Sequence, residues 1–190
     1  MFKNAKRIFA AILASAMVLT TGISAVAETT SPAGTGAPKY ETGNGVAVTG
    51  STATKAYTTK KGEASISVIK KTTKKSFTTP KTVTYKGVKY TVTGVRNGVF
   101  KNAKKAKTIT LGATVTNLGS KAFYKLPKTV KTIKIKASKI TKIDKNAFKG
   151  LKKSQAKKIK VVINKKMSAS SFKKLKKALK KAGFKTIKKG

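Results

Sequence analysis

The stretch "VTNLGSKAFYKLPKTVKTIKI", residues Val115 to Ile135, combines core-forming spacing with dense lysine. Ile133 and Ile135 alternate with Lys134, the pattern of a strand with one buried face. Val115, Leu118 and Phe123 come earlier at wider intervals, with Ala122 directly before the ring. The same word recurs on both sides, as "VTGVRNGVF" from Val92 and "ITKIDKNAF" from Ile140. Their phenylalanines, Phe100, Phe123 and Phe148, are spaced by 23 and 25 residues. Five residues before each ring stands Val95, Leu118 or Ile143, and directly before it Val99, Ala122 or Ala147. A short strand follows each: Ile109 and Leu111, Ile133 and Ile135, Ile159 and Val161. A fixed period in this range signals stacked supersecondary units, each burying its apolar face on the next.

Each turn can be read physically. The strand points two apolar residues inward and the residue between them outward. A second extended piece carries Val115 and Leu118 inward, and the Ser120-to-Phe123 piece turns the corner. The three rings then fall into a column, and fully burying one such ring stabilises by roughly 1.5–3 kcal/mol. The expected fold class is α/β and mostly β: a solenoid of about three turns over residues 92–164.

Both flanks read as caps. In 55–91, "TVTYKGVKYTV" predicts a β-hairpin turning at Lys86-Gly87, where glycine supplies the positive φ of a tight turn. Ile66 and Val68, alternating with Ser65 and Ser67, predict a strand before it. In 165–190, "SASSFKKLKKALKKAG" predicts an amphipathic helix capped by Ser168 and ended by Gly183. Phe172, Leu175, Ala178, Leu179 and Ala182 share one arc, and Lys173, Lys174, Lys176, Lys177, Lys180 and Lys181 the other. Such a helix covers the open end of a repeat stack or lies on a membrane surface. Phe184 and Ile187 read as a short extended tail.

The words "VTNLGSKAFYKL" and "ITKIDKNAFKGL" are close to the pattern I-x-x-I-x-x-x-A-F-x-x-C/L. In them the chain resembles the leucine-rich repeat proteins of the bacterial BspA-like type, found in secreted and surface proteins. The resemblance covers about Val83 to Gly183, and its first turn departs from the pattern with Val99 in place of alanine. It implies a leucine-rich-repeat-type solenoid ended by a strand and an amphipathic helix. The chain departs from the family again in its short length, three turns where the family often has many. The function expected of it is a secreted, noncatalytic binding or adhesion module.

Residues 1–27 read as a signal peptide: Lys3, Lys6 and Arg7, then an apolar run from Ile8 to Ile23, then Ala25-Val26-Ala27. An uncleaved anchor is the alternative, but the run falls short of the roughly 20 apolar residues of a spanning helix. Residues 28–54, rich in Thr, Ser, Gly, Ala and Pro, read as a disordered linker. Localisation is then secreted, extracellular or cell-wall associated. With no cysteine in the chain, the fold rests on apolar burial without disulfides.

Chemistry has little to use. The chain has no histidine, and its four acids are Glu28, Glu41, Glu63 and Asp144, separated in sequence. No carboxylate pair, metal cage or Ser-His-Asp triad is supported, so no enzyme, cofactor or metal is expected. A Ser-Lys dyad is the weak alternative, and Asp144 reads better as a turn residue.

The charge is the remaining signal. The whole chain carries +41, and removal of 1–27 takes three basic residues and no acid, leaving +38. All but two of the 45 basic residues are lysine, a hydrated point charge suited to diffuse attraction rather than bidentate recognition. Aligning the strands by their first apolar residues places Lys134 and Lys160 outward, flanked by Lys136 and Lys158. Together with Lys173, Lys176, Lys177 and Lys180 they are the candidate polyanion-binding residues. The partners expected are anionic polymers, such as teichoic acids or acidic glycans, or a surface protein. Nucleic acid would be attracted nonspecifically, but no reading motif or stacking platform appears. A membrane surface is the alternative partner for the helix, and lysines that only solubilise the fold are the plainer reading.

Overall fold

The computed structural model describes residues 46–60 and 62–190. The signal-peptide reading and residues 28–45 of the linker reading lie outside the described residues. Residues 46–54 correct that linker's boundary. Val46–Ala47 forms strand β1, antiparallel to β2 (Ala53–Lys60), and Val48 and Ala53 are buried.

The chain alternates between two sheets. From β3 (Glu63–Ile69) it crosses to β4 (Ser76–Thr78), then returns to the first sheet through β5 (Thr82–Tyr85) and β6 (Val88–Val95). It next alternates through β7 (Thr108–Leu111), β8 (Asn117–Leu118), β9 (Thr132–Ile135), β10 (Lys142–Ile143) and β11 (Lys160–Ile163). One sheet has the order β1-β2-β3-β6-β8-β10, with β5 beside β6. The other, closed by β12 (Thr186–Lys189), has the order β12-β11-β9-β7-β4 and is parallel throughout. A short helix α1 (Lys153–Lys157) precedes β11, and helix α2 (Ala169–Ala182) lies between β11 and β12.

Five parallel rungs therefore replace the expected three. Phe77, Ile109, Ile133, Val161 and Ile187 stand in one column of register, and Leu111, Ile135 and Ile163 in another. Except for the half-buried Ile187, all of these side chains are buried. The alternation of the sequence is thus the inward and outward pleat of each rung.

The corners carry the rings. Phe100 sits in a single 3-10 turn, Val99–Asn102, and its centroid is 5.8 Å from that of Phe123. Phe123 stacks on Phe148 at 5.0 Å with the planes 10° apart. Two further rings extend the column beyond the sequence reading. Phe77, from β4, meets Phe100 edge-on at 6.2 Å, and Phe184, just after α2, meets Phe148 edge-on at 5.8 Å. Offset and edge-to-face contacts of this kind suit the ring quadrupoles.

Left-handed backbone makes the corners tight. Gly98 and Lys121 occupy equivalent places with φ of 65° and 52°. The Gly98 N–H donates to the Lys121 carbonyl at 2.7 Å, and the Lys121 N–H to the Asn146 carbonyl at 2.9 Å, so corner bonds to corner. A Cβ on Gly98 would lie 2.6 Å from the Tyr124 carbonyl oxygen, which only glycine accommodates.

At the leading end, β5 and β6 pair antiparallel around Lys86-Gly87, both at positive φ as a two-residue hairpin turn requires. Val83 faces Tyr90, and both are buried. The expected strand forms as β3, but its burial does not alternate: Ser65, Ile66 and Ser67 are all buried and Val68 is only half-buried, in a strand paired on both edges by β2 and β6. Ser65 fits there because its neighbour is Gly94, where a Cβ would come within 2.1 Å of the Ser65 Oγ.

At the trailing end, α2 buries Leu175 and Leu179 completely. Its buried Ser171 Oγ accepts the Ile140 N–H at 3.1 Å, fixing the helix beside the last turn of the first sheet. Gly183 ends the helix at φ 98°, in the left-handed conformation that favours glycine there.

Candidate lysine surface and groove

The structure moves the third strand by two residues. Val161 pairs in register with Ile133, and Ile163 with Ile135, whereas the sequence alignment set Ile159 and Val161 there. The bond from the Asn164 N–H to the Ile135 carbonyl, 2.8 Å, fixes this register, and Asn164 Nδ2 donates to the Lys136 carbonyl. The outward columns change accordingly. Lys134 lies between Thr110 and Val162, and Lys188 beyond Val162 completes that row. Lys160 belongs to the row of Thr108, Thr132 and Thr186.

The eight candidate lysines fall into separate groups. Lys134, Lys136 and Lys160 are exposed on or beside the parallel sheet. Lys134 and Lys136 border a shallow cleft of about 460 Å³ with Val162 and Asn164. Lys158 does not flank the strand as expected; it caps the C-terminus of α1. Lys173, Lys177 and Lys180 are exposed on α2, and Lys176 is half-buried with its Nζ 5.6 Å from the Phe172 ring. Lys189 from β12 approaches the same ring at 4.8 Å.

Lys177 lines a second groove, also of about 460 Å³, between α2 and the corner after β10. Its floor holds Ile143, Phe148, Leu151, Ala178 and Ala182. Its rim adds Lys145, Lys149 and Lys153 from the corner side and Lys174 and Lys181 from the helix. Lys134 and Lys136 of the sheet and Lys177 of the helix thus border different clefts, while Lys176 of α2 and Lys189 of β12 meet over the Phe172 ring. Lys188 was missed because "TIKK" read as a tail rather than a fifth rung, although Ile187 marks its inward position. The corner lysines were missed because no periodicity ties them to the helix.

The described acids have structural partners. Glu63 Oε2 accepts a bond from Thr93 Oγ1 at 2.9 Å. Asp144 Oδ1 accepts the Asn146 N–H at 2.8 Å, closing a local turn. Among the described residues, no group of three Asp, Glu, His or Cys side chains is placed to hold a metal ion. No helix among them is long and apolar enough to cross a membrane.

A search of curated proteins finds no match. A solved structure of a leucine rich cell surface protein from Faecalibacterium prausnitzii is similar at 21% identity, with a TM-score of 0.47. The similarity covers 62% of this chain and 32% of that one, so this chain spans about a third of that protein's length. The family model for the BspA type leucine rich repeat region, described as six copies, matches residues 70–189. That span exceeds the expected Val83–Gly183 at both ends and takes in the rungs of Phe77 and Ile187. The chain belongs to the BspA-type leucine-rich repeat family.

Proposed function

We propose that this chain is a secreted or surface-held, noncatalytic binding module that attaches electrostatically to anionic polymers of a cell wall or host surface. Its fold is read as a short solenoid of leucine-rich repeats, closed by the β-hairpin end and by α2. The observation that carries the reading is the sorting of side chains: the core is almost wholly apolar and no described lysine is buried in it, on a chain of net charge +41. Two ammonium groups 5 Å apart repel by about 0.8 kcal/mol in water. Each pair is weak, but dozens of unmatched charges add up, and a polyanion across the surface relieves them. Teichoic acids and acidic glycans have the required chemistry, and lysine suits such diffuse, geometry-tolerant attraction.

The burial of Leu175 and Leu179 favours α2 as a cap over α2 as a membrane-active helix. The centre of the apolar face that a membrane would take is already occupied, so inserting Leu175 and Leu179 into a membrane requires the helix to detach. Binding to purified cell walls tests the polymer reading. Retention at low salt, elution by moderate salt and loss after removal of teichoic acid are expected. Retention that resists high salt would contradict it.

A further inference from the structure

We propose that the groove between α2 and the corner after β10 binds a long-chain carboxylate, with the acyl chain on the floor and the head among the rim lysines. Two observations meet there. The first is an opening in the ring column. Phe100 and Phe123 are each 1% exposed, but Phe148, stacked on Phe123, is left half-buried. Leu151 is half-buried beside it, and α2 presents Ala178 and Ala182 at this place, too small to cover the rings. The second observation is charge. Six lysines border the groove against one carboxylate, Asp144, whose Oδ1 is held by the Asn146 N–H.

This combination selects the occupant. A hydrated polymer gains nothing from an apolar floor, and an uncharged lipid gains nothing from the lysines. A volume of about 460 Å³ lies within the range of small-molecule sites, where apolar walls hold the ligand and a few polar groups orient it. An anionic amphiphile uses both features at once. The site shares Lys177 with the candidate polymer surface, but its apolar floor of Phe148, Leu151, Ala178 and Ala182 belongs to this groove and to no part of the polymer reading.

Calorimetry of the full chain with octanoate, decanoate and dodecanoate, below their aggregation limits and at physiological salt, tests this. One-to-one binding is expected, tightening by up to about fourfold per added methylene. Ala178→Leu fills the floor with a good helix former and should weaken dodecanoate at least tenfold. Retained melting temperature and circular dichroism check its fold, and Ala182→Leu serves in its place if it fails to fold. Lys177→Gln with Lys181→Gln should weaken all three ligands by a similar factor. Equal affinity for all chain lengths, many ligands per chain, no dodecanoate binding, or full affinity in the filled variants would overturn the site. Wall-polymer binding measured on Ala178→Leu keeps the two readings apart, since that variant leaves every candidate polymer lysine in place.

Discussion

Phe123→Ala removes the middle ring of the column. Phe123 is buried, with rings on both sides at 5.8 and 5.0 Å, so neither neighbour can close the gap without losing its own contacts. Truncating a buried phenylalanine typically costs 3–5 kcal/mol, combining lost transfer energy with the cavity left behind. The rigid fit on both sides places this site toward the upper half of that range. For a fold of this size each kcal/mol moves the melting temperature by roughly 3–4 °C, so a drop of about 12–20 °C is expected. Thermal unfolding followed by circular dichroism at fixed ionic strength gives the value. Phe77→Ala, which loses one edge-on contact at the end of the column, should fall by less. A Phe123→Ala shift under about 3 °C would show that the stacked corners do not carry the core, and the reasoning would fail.

Three further outcomes follow from the same geometry. Gly98→Ala forces a Cβ against the Tyr124 carbonyl oxygen at positive φ and should destabilise by about 1–3 kcal/mol, measured by urea unfolding. Ser171→Ala leaves the buried Ile140 N–H without its acceptor and should cost about 1–3 kcal/mol, with the earliest loss of amide protection in α2. Raising sodium chloride from low to moderate concentration should raise the melting temperature, because the native state concentrates like charges that salt screens; a fall would contradict that.

The repeat was legible because three words recur with their rings, and large buried side chains leave a strong pattern. The two added rings were not. Phe77 enters the column from a strand rather than a corner, and Phe184 arrives after the intervening helix, so neither sits in the repeated word. The register of β11 was ambiguous for a physical reason. Ile159, Val161 and Ile163 alternate without a break, and a slip of two residues keeps every apolar side chain on the same face. Backbone bonds to Ile135 decide what periodicity leaves undecided. The strand β2 was hidden because its buried positions include Ala53 and Ala56, which give little hydrophobic signal. The site was legible as charge but not as shape: the lysines could be counted, but the groove needed the helix and the corner brought together.

Affinity for purified teichoic acid as a function of salt tests the central claim most directly. Log Kd should rise linearly with log salt concentration, and the slope should become shallower in Lys134→Gln, Lys160→Gln, Lys188→Gln combined. An affinity that stays constant from low to high salt, or a slope unchanged by those three substitutions, would contradict it.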